Sequence, residues 1–206
     1  MKESDIAGTP RIVNDIMLGV RGLGKLARHA PKVLLRTAEG PSGEERRQII
    51  LDRGTDYVVV VLLALHEGEQ CLLAKEEFVY GAMQYVLKFA SGGIDEDESP
   101  EQAAMREVRE EFGIRLFLEN LTRIGGPFLE SPDKLTGSQF LFIGRIPETL
   151  DSTGEALSEA EPGRQRYFPL TEEGVGALLP ELGIVLQREA VHETLRHLRL
   201  SHLAYH

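Results

Sequence analysis

A single cysteine, Cys71, and no tryptophan are the plainest gaps in this chain of 206 residues. One thiol closes no disulfide within the chain, so a reducing compartment is expected, and Cys71, set in an apolar run, reads as a buried inert thiol. Basic residues are short as well: 23 Lys and Arg stand against 33 Asp and Glu, a formal charge of −10. A general binder of nucleic-acid polymer needs the opposite sign, because backbone phosphates are held by basic surface. No hydrophobic run approaches the ~20 residues of a membrane helix. The longest, Val58 to Leu65, has the length of a strand. The first residues carry no apolar segment with a secretory cleavage site, so a soluble, cytoplasmic protein with no membrane partner is expected. Internal repeats and low-complexity tracts are absent too.

What remains is enough for one substantial core, since 42% of the residues are hydrophobic and the length is short for two ordinary domains. Residues 1–31 form an N-terminal extension in which Ile16, Met17, Leu18, Leu23 and Leu26 mix with Arg21, Lys25 and Arg28. Gly19, Gly22 and Gly24 interrupt that loosely amphipathic pattern and weaken a helix. A packing arm, a dimer element, a flexible extension and a basic surface helix all stay open for it. Residues 32–54 read as a hairpin: Val33 to Leu35, a Gly40-Pro41-Ser42-Gly43 turn, then Gln48 to Leu51. Tyr57 to Leu65 is apolar on both faces, as a central strand is. Gln70 to Ala74, Tyr85 to Phe89, Gln139 to Gly144 and Arg166 to Pro169 complete the expected strands, and a terminal amphipathic helix follows Gly183. His192, His197 and His202 fall at five-residue steps, which share no helix face, and read as surface histidines.

One helix is spelled out. Ser99 suits the N-cap, Pro100 the first helical position and Gln102 the reciprocal place in a capping box, while Gly113 ends the helix. Ala104, Val108 and Phe112 recur at four-residue spacing and make its buried stripe. Glu107, Glu110 and Glu111 then gather on one side of the last turns, where the helix dipole disfavours negative charge, and such a cluster calls for a cation. Oxygen donors without Cys or His point to Mg²⁺ or Mn²⁺. The site is expected to be exposed, so that losing the Glu111 charge removes a ligand and no core atom. The bland alternative is a solvated acidic helix face.

Gly92, Glu98, Arg106, Glu107, Val108, Glu110, Glu111, Gly113 and Ile114 stand at the offsets of one pattern: glycine, a five-residue spacer, glutamate, a seven-residue spacer, then Arg-Glu-aliphatic-x-Glu-Glu-x-Gly-aliphatic. The chain resembles the Nudix hydrolases, whose box this is. The resemblance implies an α/β (α+β) Nudix fold, a mixed β-sheet sandwiched between helices, here with an N-terminal β-hairpin extension and with residues 55–206 as the catalytic domain. It implies hydrolysis of a nucleoside diphosphate linked to another moiety, with Glu107, Glu110 and Glu111 as metal ligands and catalytic residues and a backbone carbonyl at Ser91 or Gly92 as a further ligand. Arg106, paired with Glu98, is then structural, as is Gly113. The general base varies within the family between a box glutamate and a glutamate on a downstream loop; Glu159 and Glu161, in the Ser, Gly, Glu and Pro-rich loop from Asp151 to Gly163, are the loop candidates.

Phe128 to Pro132, Gly137 and the following strand look like the ADP-ribose pyrophosphatases, which makes Ser131 and Pro132 a substrate loop. Leu72 to Phe78 and Phe89 to Asp95 look more like the ADP-compound hydrolases. Phe78 and Lys88 depart from the former branch, where Arg and Glu are common, so substrate contacts there are not carried over. The implied reaction is Mg²⁺-dependent cleavage of an ADP-linked compound of the ADP-ribose, NADH or diadenosine polyphosphate type, with release of AMP, by a homodimer. Two alternatives stand beside it: a nucleoside-triphosphate pyrophosphohydrolase, and a catalytically silent nucleotide-sensing domain.

Overall fold

The computed structural model describes residues 11–18, 32–40, 42–79, 83–129, 135–147 and 163–204. The chain divides into two units, residues 1–56 with 129–138 and residues 57–128 with 139–206.

In the first unit, β1 (Arg11–Leu18), β2 (Lys32–Glu39) and β3 (Glu45–Asp52) form an antiparallel sheet in that order. The expected hairpin is present: Lys32 lies opposite Asp52 and Glu39 opposite Glu45. Its turn includes Gly43 at φ 82°, a left-handed value that glycine adopts without a Cβ clash. The third strand is an addition. A register shift between Ile12 and Asn14 interrupts the alternation of its side chains, and Gly19, Gly22 and Gly24 lie beyond the strand end, so they do not bear on it. Arg36 pairs with Asp15 directly across the β1–β2 ladder at 2.8 Å.

The second unit is built on a mixed sheet. β4 (Tyr57–His66) is central, flanked by β5 (Glu69–Val79) and β9 (Ser138–Arg145), with β10 (Arg164–Pro169) beyond β5 and β8 (Leu121–Leu129) beyond β9. β6 (Gln84–Lys88) also pairs with β5, and β7 (Ala90–Gly93) with β4. β4 runs parallel to β9 and antiparallel to β5 and β7. Its apolar run is continuous because both faces are covered. Val58, Val60 and Leu62 pack with Phe140, Phe142 and the stripe Ala104, Val108 and Phe112 of helix α1 (Pro100–Phe112). Val59, Val61 and Leu63 pack on the other face against Val175 and Leu178 of α2 (Glu172–Glu181) and Ala190, Val191 and Leu195 of α3 (Val185–His197). The sheet is thus sandwiched between helices. Each of these valine, leucine and phenylalanine side chains, withdrawn from water, contributes on the order of 1.5–3 kcal/mol.

Elements of the second unit also differ from the sequence reading. The strand expected over Tyr85 to Phe89 ends at Lys88, and the chain breaks at Phe89 before β7. The amide of Phe89 donates to Oε1 of buried Gln187 on α3 at 2.8 Å, which satisfies the N–H that leaves the ladder. β8 escaped notice because Thr122, Arg123, Gly125, Gly126 and Pro127 carry no strand pattern. Helix α2 escaped because Gly174, Gly176 and Pro180 lower its propensity, although Thr171 caps it with a bond from the Gly174 amide at 3.2 Å. Cys71 is buried, and His197 and His202 are exposed.

Candidate active site

Local sequence fixes the box helix in place. Ser99 Oγ accepts the Gln102 amide at 3.2 Å while Gln102 Oε1 accepts the Ser99 amide at 2.8 Å, the reciprocal bonds of a capping box. At the other end Gly113, at φ 69°, donates its amide to the Arg109 carbonyl at 3.0 Å. The helix lies on β7, whose Ser91 and Gly92 stand opposite Val59 and Val58 of β4. Gly92 through Ile114 is therefore a strand end, a loop and a helix folded back on one another.

Arg106 locks that fold-back. Its Nε donates to Glu98 Oε1 at 3.0 Å, and its Nη2 donates both to Glu98 Oε2 at 2.9 Å and to the Gly93 carbonyl at 2.7 Å. Nη1 donates to Glu107 Oε1 and, at 3.4 Å, to Glu110 Oε2. Glu98 also accepts the Asp95 amide at 3.2 Å. The Arg106 guanidinium holds the Glu98 carboxyl below the usual carboxylate range, and Arg106 itself is raised, chiefly through Glu98. Such a forked, charge-assisted set fixes direction as well as distance.

The three helix glutamates have unlike surroundings. Glu107 is buried, and its carboxylate occupies the space directly over Gly92, where any Cβ would collide with it. Glu111 is more deeply buried, at 4% exposure. The expectation of an exposed Glu111 is therefore wrong. The i, i+4 step from Glu107 turns it toward the sheet, into the layer that holds Val108 and Phe112. Its Oε1 accepts from Lys88 Nζ at 3.2 Å and from the Ser91 amide at 3.3 Å. Its Oε2 is buried and has no hydrogen-bond partner. Burial pushes the Glu111 carboxyl up to about 7, against the pull of Lys88 and Lys75. Glu110 has a side chain 47% exposed, with Arg106 as its ion-pair partner.

Among the described residues no three acidic, His or Cys side chains stand together as a ready-made metal cage. The chain's own cations take that place: Arg106 reaches Glu107 and Glu110, and Lys88 reaches Glu111. Two features nevertheless fit a divalent cation. Glu111 Oε2 is a buried acceptor that takes no hydrogen bond and has only Lys75 Nζ, at 3.9 Å, as an ion-pair contact, and Gly92 leaves open the space that the Glu107 carboxylate fills. Carboxylate and backbone oxygens are the donors that Mg²⁺ and Mn²⁺ take.

The sequence reading missed a buried charge network beside Glu111. Lys75 on β5, only 1% exposed, lies 3.1 Å from Glu77 Oε2 and donates to the Glu111 carbonyl at 3.1 Å; Lys88 lies 2.7 Å from Glu77 Oε1. Burial works against the Lys88 charge, but Glu111 and Glu77 outweigh it and raise its pKa; Glu77 is lowered in turn, against its own burial, by Lys88 and Lys75. A lysine following Leu72, Leu73 and Ala74 in a strand was the available signal. The expected substrate loop, Ser131 and Pro132, and the candidate bases Glu159 and Glu161 lie outside the described residues.

The model of the NUDIX domain family matches residues 55–192. No curated protein sequence matches the chain. Among solved structures, that of an ADP compounds hydrolase is similar, with a TM-score of 0.69 and 23% identity over 93% of this chain and 95% of that one. At that identity the likeness is one of fold.

Proposed function

Because the chain belongs to the Nudix family of hydrolases, we propose that it cleaves the pyrophosphate bond of an ADP-linked compound, of the ADP-ribose, NADH or diadenosine polyphosphate type, with Mg²⁺ or Mn²⁺ and with release of AMP. The observation that carries the reading is the intact box folded back on itself, with Glu107 over Gly92 and Glu111 bonded to the Ser91 amide. Glu107, Glu110 and Glu111 would hold the cation, with a carbonyl of Ser91 or Gly92 beside them. When bound, such an ion offsets phosphate charge and makes its water a better nucleophile at neutral pH.

The chain's own residues supply the rest. Arg106 fixes the box loop through Glu98 and the Gly93 carbonyl, so that the glutamates approach the phosphates from a constant direction. Glu159 or Glu161 takes the proton of the attacking water, and the loop with Ser131 and Pro132 receives the moiety beyond the second phosphate. An ADP-linked substrate is supported by the runs Leu72 to Phe78 and Phe89 to Asp95, which look like ADP-compound hydrolases, and by a fold shared with one such enzyme. A homodimer is part of the proposal, supported by Ile12, Val13, Ile16 and Ile49, apolar residues exposed on β1 and β3. The cytoplasm is its proposed compartment, in keeping with the lone buried thiol.

Product analysis tests the reading. Incubated with Mg²⁺ and a panel of ADP-ribose, NADH, diadenosine polyphosphates, GDP-mannose and nucleoside triphosphates, the protein should turn over an ADP-linked compound best and release AMP. A preference for triphosphates with release of pyrophosphate would overturn the substrate assignment, and nucleotide binding without turnover would overturn the catalytic one.

A further inference from the structure

We propose that Lys88 is a built-in counter-ion that competes with the divalent cation for Glu111, so that the Lys75, Glu77 and Lys88 network sets how tightly the metal is held. The inference rests on the reading of Glu111 as a metal ligand. It begins from register: β5 and β6 are antiparallel, Lys75 lies opposite Lys88, and Glu77 lies opposite Val86. Residues two apart share a face of a strand, so Glu77 sits on the same side as Lys75 and within reach of both ammonium groups. The distances bear this out, at 3.1 Å from Lys75 and 2.7 Å from Lys88.

The four side chains balance. Two lysines face two glutamates, and three of the four are strongly withdrawn from water, with side-chain exposures of 1% for Lys75, 5% for Glu111 and 14% for Lys88. Pairing of this kind makes burial of charge tolerable. A divalent cation arriving at Glu111 upsets the balance, because it brings two positive charges to a carboxylate whose Oε1 already holds the Lys88 ammonium at 3.2 Å. Repulsion between charges a few ångströms apart is weakly screened in such surroundings. Either Lys88 withdraws toward Glu77 or the metal is held less tightly. Glu77 is thus the other side of the switch, the carboxylate that already holds Lys88 at 2.7 Å and keeps it when Glu111 is taken.

The network differs from a purely structural ion pair in one measurable respect. A structural pair lowers stability when broken, by the same amount with or without metal. A competing pair changes metal affinity. The test measures Mn²⁺ binding to the full chain, without substrate, in mildly alkaline buffer, by the electron paramagnetic resonance signal of free Mn²⁺. Lys88→Met should tighten the apparent Kd by about tenfold, because the competing charge is gone, and should enlarge the rise in Tm that saturating Mn²⁺ produces. Glu77→Gln should loosen the Kd severalfold, because Lys88 is then left with Glu111. If Lys88→Met does not fold, Lys88→Gln and Glu77→Gln carry the same opposed expectations. An unchanged or weaker Kd in the Lys88 variants overturns the counter-ion proposal while leaving the metal site standing. Absence of Mn²⁺ binding in the wild type overturns the metal site itself.

Discussion

The carboxylate of Glu107 lies where a side chain on Gly92 would be. One helix residue and one strand residue thus share a single space, which explains why the box begins with glycine. Gly92→Ala should displace Glu107 rather than strain the backbone. A shift on the order of 1 Å in a catalytic group costs about 10²-fold in rate. The expected result is a fall in kcat of that order with the Tm lowered by only a few degrees, checked by steady-state kinetics and thermal melting. An alanine variant of wild-type activity would mean that the position of Glu107 is unimportant.

Glu111→Gln should lose activity and keep its stability. Loss of a ligand that offsets phosphate charge removes about 10³-fold or more of rate. Burial pushes the Glu111 carboxyl up to about 7 against the pull of Lys88 and Lys75. A carboxyl raised in the folded state costs stability once it is ionised, above that value, and glutamine removes the charge. Urea unfolding of the metal-free protein at mildly alkaline pH should therefore show a variant at least as stable as the wild type. A variant clearly less stable at that pH would show that the pairing with Lys88 outweighs the burial of the Glu111 charge.

Arg106 is the residue through which acid should act on the box. Its guanidinium lowers the Glu98 carboxyl below the ordinary value of 4.5. A carboxyl lowered in the folded state stabilises fully above its unfolded value and loses that contribution as pH falls through the folded one. The wild type should therefore lose stability as pH drops from about 5, and Arg106→Ala should lose less over the same window. Parallel pH profiles for the two proteins would exclude the Glu98 pair as a source of acid sensitivity. Arg106→Lys should recover little activity, because an ammonium group cannot reproduce the forked bonds to Glu98 and the Gly93 carbonyl.

The sheet of β1, β2 and β3 leaves Ile12, Ile16 and Ile49 exposed, at 57%, 50% and 62%. Light scattering at micromolar concentration should give the mass of a dimer, and Ile12→Lys with Ile16→Lys should shift it toward the monomer. A monomeric wild type would remove the dimer from the account.

Legibility in the sequence followed local physics. The box helix could be read to the residue because caps, stripe and terminating glycine are all local signals. The central strand was legible for the same reason, an apolar run covered on both faces. β8 was not, since its sequence holds two glycines, a proline and an arginine, and its strand character comes from neighbours distant in sequence. β1 was obscured by the glycines that follow it. In the site, the pairing of Arg106 with Glu98 follows from the box resemblance, but the burial of Glu111 does not. It depends on how α1 rolls against β5 and β6, and with it come Lys75, Lys88 and Glu77, whose convergence is a property of strand register.

The metal dependence of turnover tests the central claim most directly. ADP-ribose is incubated with the purified chain, and AMP is followed as Mg²⁺ is titrated from an excess of chelator upward, for the wild type and for Glu107→Gln, Glu110→Gln and Glu111→Gln. The account predicts no AMP in chelator, saturable release with Mg²⁺ in the wild type, and a loss of about 10³-fold or more in the Glu111 variant. Turnover in chelator, or a Glu111 variant that retains full Mg²⁺-dependent activity, would contradict it.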